Sequence, residues 1–169
     1  MRILIIFSLL FLGCENIKEI KTDKNYSIDY TYDNGWSVNW SIKIDSANSI
    51  FFKQNSKCYQ SNLPQKEKDY LDSILSIATN NNTQNKFISD KTDQAVSYLI
   101  ISRNNINQSF LIYGDTCPPI FTEIFSFLKL QLNKEKKESL CTIKFKSNEI
   151  LKGIDKTSGN NRKFLPPKK

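Results

Sequence analysis

The stretch YSIDYTYDNGWSVNWSIKID, Tyr26 to Asp45, decides the fold class. Tyr26, Ile28, Tyr30 and Tyr32 alternate with Ser27, Asp29 and Thr31. After Asp33-Asn34-Gly35 the same alternation resumes, with Trp36, Val38, Trp40, Ile42 and Ile44 against Ser37, Asn39, Ser41, Lys43 and Asp45. Side chains of an extended chain point to opposite faces in turn, so this pattern predicts two strands with one apolar and one polar face. Asn and Gly tolerate positive φ, which makes Asp33-Asn34-Gly35 a hairpin turn.

Outward from this hairpin, Asp45–Ser49 reads as a second turn and Ile50–Gln54 as a third strand. Leu63-Pro64 opens a helix, with Asn62 or Ser61 as its cap. Tyr70, Leu71, Ile74, Leu75, Ile77 and Ala78 form one apolar stripe along it. Asn80-Asn81-Asn82 ends the helix, and a polar loop runs to about Gln94. Ala95–Ser102 and Ser109–Tyr113 are two further strands joined through Arg103-Asn104-Asn105. Pro118-Pro119 starts a second helix carrying Ile120, Phe121, Ile124, Phe125, Phe127, Leu128 and Leu132, and Thr142–Lys146 is a candidate last strand. The order βββα-ββα-β predicts an α+β domain: one antiparallel sheet of about five or six strands, with two helices on one face. The other face is expected to be wet.

The N-terminus carries the one specific motif. Met1-Arg2 precedes the apolar run Ile3–Leu12, then Gly13 and Cys14, and the chain turns polar at Glu15. The run is about ten residues, the length of a signal-peptide core and roughly half of a membrane-spanning helix. It resembles the signal peptide of bacterial lipoproteins, with Phe11 where that family usually has leucine. The resemblance implies export, lipidation on the sulfur of Cys14, and attachment to the cell envelope, with the outer membrane favoured over the inner and the choice between them left open. It divides the chain into a signal peptide (1–13), a polar tether (14–25), a single domain (26–146) and a basic, irregular C-terminal tail (147–169). Beyond the motif the layout is similar to that of short envelope lipoproteins, which implies no particular activity.

The formal charge of +7 is unevenly placed. Residues 14–141 hold 15 basic and 15 acidic residues, so the mature excess lies in Lys144, Lys146, Lys152, Lys156, Arg162, Lys163, Lys168 and Lys169, set against Glu149 and Asp155. A neutral body with a basic end argues against a nucleic-acid-binding domain. It leaves the membrane, reached through the N-terminal lipid, and a protein or glycan as expected partners.

The chain has no histidine, which excludes Ser-His and Cys-His catalysis and histidine-ligated metal sites. CxxC, HExxH and Asp-rich calcium loops are also missing from the sequence, so no cofactor is expected. Three cysteines follow Cys14. Cys58 and Cys117 each precede a helix in matching places, and a Cys58–Cys117 disulfide is expected, with Cys141 left over. The aromatic row Tyr26, Tyr30, Tyr32, Trp36 and Trp40 is expected to fill the core, and its other reading is a stacking platform for a glycan or apolar ligand. In Gly114-Asp115-Thr116-Cys117-Pro118-Pro119, Asp115 or Thr116 is expected to cap the second helix. The functional expectation is a non-enzymatic, lipid-tethered interaction module. The alternatives are an immunity lipoprotein that captures a toxic enzyme, and a small hydrolase using carboxylates such as Asp29 and Asp45.

Overall fold

The computed structural model describes residues 25–36, 39–81, 84–90 and 94–157. The strands are β1 (Tyr26–Asp33), β2 (Asn39–Ile44), β3 (Ser49–Gln54), β4 (Lys57–Asn62), β5 (Lys86–Ile88), β6 (Val96–Arg103), β7 (Ile106–Tyr113) and β8 (Lys137–Ser139). The helices are α1 (Gln65–Asn81), α2 (Pro119–Leu132) and α3 (Lys146–Thr157). All eight strands form one sheet in the order β5-β7-β6-β1-β2-β3-β4-β8. It is mixed: β5 runs parallel to β7, and every other pair is antiparallel.

This corrects the expected antiparallel sheet of five or six strands with two helices on one face. The class is α+β, but three strands and a helix carry too little apolar periodicity to announce themselves. β4 (KCYQSN) follows β3 through a two-residue turn with Asn55 at φ 55°. β5 and β8 are three-residue edge strands. No strand forms at Thr142–Lys146: residues 140–145 lead into α3, which is helical over 147–157 in place of the expected irregular tail, and 158–169 lie outside the described residues.

The register places Tyr30 opposite Ile42 and Leu99, and Tyr32 opposite Trp40 and Ser97. Tyr26, Ile28, Tyr30, Trp40, Ile42, Ile44, Ile50, Phe52, Leu99, Ile101, Phe110 and Ile112 therefore share one face, and all are buried. Leu71, Ile74, Leu75 and Ala78 of α1 and Phe121, Ile124 and Leu128 of α2 pack onto it as one core. The 2.0 period of the strands meets the 3.6 period of the helices here, and this contact is the main hydrophobic term. α1 carries the chain from β4 to β5 at the opposite edge of the sheet, and α2 returns it to β8. Lys136 then lies over the rings of Phe52 and Tyr59, at 5.1 and 5.0 Å. Burial holds its ammonium below the ordinary lysine value.

The polar face of the hairpin is not left to water. The chain passes from β8 to the second face, where α3 lies against β1 and β6, burying Phe145 and Leu151. Beneath it Ser41, Thr31, Ser147 and Asp29 form a buried chain of hydrogen bonds. Ser41 and Thr31 hydroxyls are 2.7 Å apart, Thr31 and Ser147 hydroxyls 2.7 Å, and Ser147 donates to an Asp29 carboxylate oxygen at 2.5 Å. Each hydroxyl can give one proton toward the carboxylate, so the chain is satisfied from end to end.

Candidate functional site

A cleft of about 460 Å³ opens where α2 leaves the apolar sheet face incompletely covered. Its floor is Tyr30, Tyr32 and Trp40 from the hairpin, with Ser97 of β6 and Ile112 of β7, and its wall is Phe125 of α2. Asp115, Cys117, Thr122, Ser126 and Lys129 add polar groups. Tyr32 stacks on Trp40 with centroids 5.9 Å apart and planes at 29°, while Tyr30 stacks on Phe125 at 5.0 Å and 30°. The Tyr30 hydroxyl meets the Ser97 hydroxyl at 2.9 Å. Burial pushes the Tyr30 phenol well above its ordinary value, so it stays protonated.

Both readings of the aromatic row thus apply to different members. Tyr26, Tyr30 and Trp40 are buried in the core, Tyr32 is half-buried at the cleft, and Trp36 is exposed beyond the turn. The chain turns at Asp33-Asn34-Gly35, where Asp33 accepts from the Gly35 amide at 2.7 Å, Asn34 from the Trp36 amide at 3.0 Å, and Gly35 takes φ 75°, but the second strand starts at Asn39 and not at Trp36 as expected. Val38 lies outside the described residues.

The connection into α2 forms the mouth of the cleft. Gly114 has φ +78°, and a Cβ there would meet Ser89 Cβ at 2.8 Å, so both the conformation and the space require glycine. Neither Asp115 nor Thr116 caps the helix, contrary to expectation. The N-cap is Pro118, with no side-chain hydrogen bond, and the Phe121 amide closes back onto the Pro118 carbonyl at 2.9 Å. Two consecutive prolines fix the backbone, and the second has no N–H to satisfy.

The cysteine assignment is also corrected. Cys58 pairs with Cys141, their Cα atoms 5.2 Å apart, and Cys117 is free. Cys58 stands opposite Lys53 and so projects to the face carrying α3, whereas Cys117 lies on the α2 side, with the sheet between them. Pairing of β4 with β8 sets Cys58 opposite Ser139, which brings Cys141 within reach. Cys14 lies outside the described residues.

Cys117 sits 3.9 Å from the Thr122 hydroxyl, and burial, with the Asp115 charge added, raises its thiol above the ordinary value. That is the opposite of an activated nucleophile. The two candidate carboxylates are occupied by backbone. Asp45 accepts from the Ala47 and Ser49 amides at 2.9 and 2.8 Å, and Asp29 from the Lys146 amide at 2.8 Å. No cluster of potential metal ligands occurs among the described residues.

Sequence reasoning missed Ser97, Phe125 and Lys129 as cleft residues. Ser97 carried a signal: it is a hydroxyl on the same strand face as Leu99 and Ile101. Compared with known protein families and with curated proteins, the sequence matches none.

Proposed function

We propose that this chain is a lipid-anchored, non-enzymatic binding protein of the bacterial cell envelope, and that its cleft receives a glycan segment. The observation that carries the reading is the lining of the cleft. Aromatic faces at Tyr32 and Phe125, with the buried Trp40 stacked behind Tyr32, suit the C–H face of a sugar ring, and Ser126, Thr122, Asp115 and Lys129 suit its hydroxyls. Anchoring rests on the lipoprotein-like motif that ends at Cys14. The Cys58–Cys141 disulfide supports an oxidising compartment. A tether of residues 14–25 spans at most ~40 Å when extended, enough to hold the domain clear of lipid headgroups.

Trp40 lines the cleft, so with Trp36→Phe in the background the tryptophan fluorescence reports occupancy. Titration with soluble fragments of envelope glycan is expected to change the emission saturably, and Tyr32→Ala to weaken the response about tenfold. An emission that stays flat throughout the titration contradicts the reading.

A further inference from the structure

A second pocket, of about 210 Å³, opens at the end of the sheet where β1 begins and the β6–β7 hairpin turns. Tyr26, Thr79, Asn80, Arg103 and Gln108 line it, with Ile106 at its rim, 69% exposed. Arg103 leans over the Tyr26 ring, its guanidinium carbon 5.2 Å from the centroid, and donates from Nη1 to the Tyr26 hydroxyl at 3.2 Å. Stacking and hydrogen bond together fix the plane of the fork. Its Nε is buried and has no hydrogen-bond partner among the described residues, and the same holds for Oε1 of Gln108. Among the described residues no carboxylate lines the pocket and Arg103 forms no ion pair. A buried donor and a buried acceptor left open beside one small pocket are each costly, and a single guest satisfies both once Arg103 and Gln108 turn toward it.

We propose that this pocket binds a phosphate group, presented as free phosphate, as a small phosphate ester or on a lipid headgroup. A planar guanidinium matches phosphate oxygens in geometry and charge. A monoprotonated phosphate also offers a P–OH to the Gln108 acceptor, which a carboxylate cannot do. Thr79 and Asn80 lie in the last turn of α1, whose carbonyl end disfavours an anion weakly, and charge-assisted hydrogen bonds from Arg103 outweigh it. Around Tyr26, burial raises the phenol, but hydrogen bonds with Ser76 and Thr79 and the Arg103 charge outweigh it and leave the group below its ordinary value. The headgroup source rests on the anchored reading above, and the free-phosphate source does not.

The test uses the full mature chain with Cys14→Ser, titrated with inorganic phosphate by calorimetry. The same protein is sedimented with phosphatidylcholine vesicles with and without phosphatidic acid. Saturable binding of inorganic phosphate, weakened about tenfold in Arg103→Lys and Gln108→Leu, supports a soluble source. Sedimentation that requires both phosphatidic acid and Arg103, without binding of inorganic phosphate, supports the headgroup. Tyr32→Ala, in the other cleft, should leave both signals unchanged, which separates this proposal from the glycan reading. Binding of neither probe, or equal binding by wild type and both pocket variants, overturns the proposal.

Discussion

Asp29, in the middle of β1, caps a helix that begins 117 residues later: its carboxylate accepts from the Lys146 amide and from the Ser147 hydroxyl. A negative group at a helix N-terminus satisfies amides that the helix cannot bond itself and complements the helix dipole. This clasp joins the first strand to the last helix and fixes α3 over β1 and β6.

Removal of the clasp should be costly. Asp29→Ala leaves the Lys146 amide without its acceptor and removes the end of the buried hydroxyl chain, and is expected to destabilise by about 1–3 kcal/mol in denaturant unfolding. A pH series gives a sharper reading. Burial outweighs the hydrogen bonds from Ser147 and Lys146 and holds the carboxyl above its ordinary 3.8, so the folded chain keeps this proton longer than the unfolded chain. The stability it contributes is therefore complete below pH 3.8 and lost as pH rises through the folded value. Relative to Asp29→Asn, which does not titrate, wild type should lose stability across the interval just above pH 3.8. A gain there would contradict the assignment.

The C-terminal segment is structural. Leu151 is 2% exposed, and Leu151→Ala should cost about 2–4 kcal/mol. Truncation after Phe145 should cost more, because it uncovers Ile100 and strips Asp29 and Thr31 of their partners Lys146 and Ser147. Thermal melts check both; an unchanged melt for the truncated chain would mean that α3 does not pack.

In the Cys14→Ser chain without reductant, alkylation should modify one thiol, Cys117, and do so slowly at neutral pH because the thiol is raised and half-buried. Three accessible thiols would exclude the Cys58–Cys141 bond. Cys141→Ser should lower stability by about 2–4 kcal/mol, since the bond closes a loop across a sequence separation of 83.

Inside the apolar layer, Lys68 and Asp72 form an ion pair at 2.5 Å, one turn apart on the buried side of α1. Burial outweighs the lysine's attraction and leaves the Asp72 carboxyl above its ordinary value. Lys68→Met alone should cost about 3–5 kcal/mol by leaving that carboxyl uncompensated, whereas Lys68→Met with Asp72→Leu should recover most of the loss. Equilibrium unfolding of the two variants decides this, and equal losses would contradict it.

The contrast between the two sheet faces shows what the sequence discloses. Tyr26 to Ile44 announces its strands because the core beneath them is apolar, and hydropathy records apolar burial directly. Ser41, Thr31, Ser147 and Asp29 are just as buried, but they are satisfied by one another, and a polar side chain reads the same whether water or a hydroxyl is its partner. The wet face was therefore indistinguishable from one covered by a distant helix. α3 is hidden for a related reason: it buries Ser147 and Leu151 on a short, lysine-bearing segment whose charge suggests a solvated end. The aromatic row was visible in the sequence, but its division into core and cleft depends on where α2 stops covering it.

Cys117 supplies the most direct test of the cleft as a receiving surface, because its thiol lines the same space as Tyr32, Trp40 and Phe125. The measurement is the alkylation rate of Cys117 in the Cys14→Ser chain as envelope glycan fragments are added. The account predicts a saturable fall in rate, with the same midpoint as the Trp40 fluorescence change, that is lost in Tyr32→Ala. A rate that stays constant while glycan binds, or that falls equally in Tyr32→Ala, would place the ligand elsewhere and contradict the account.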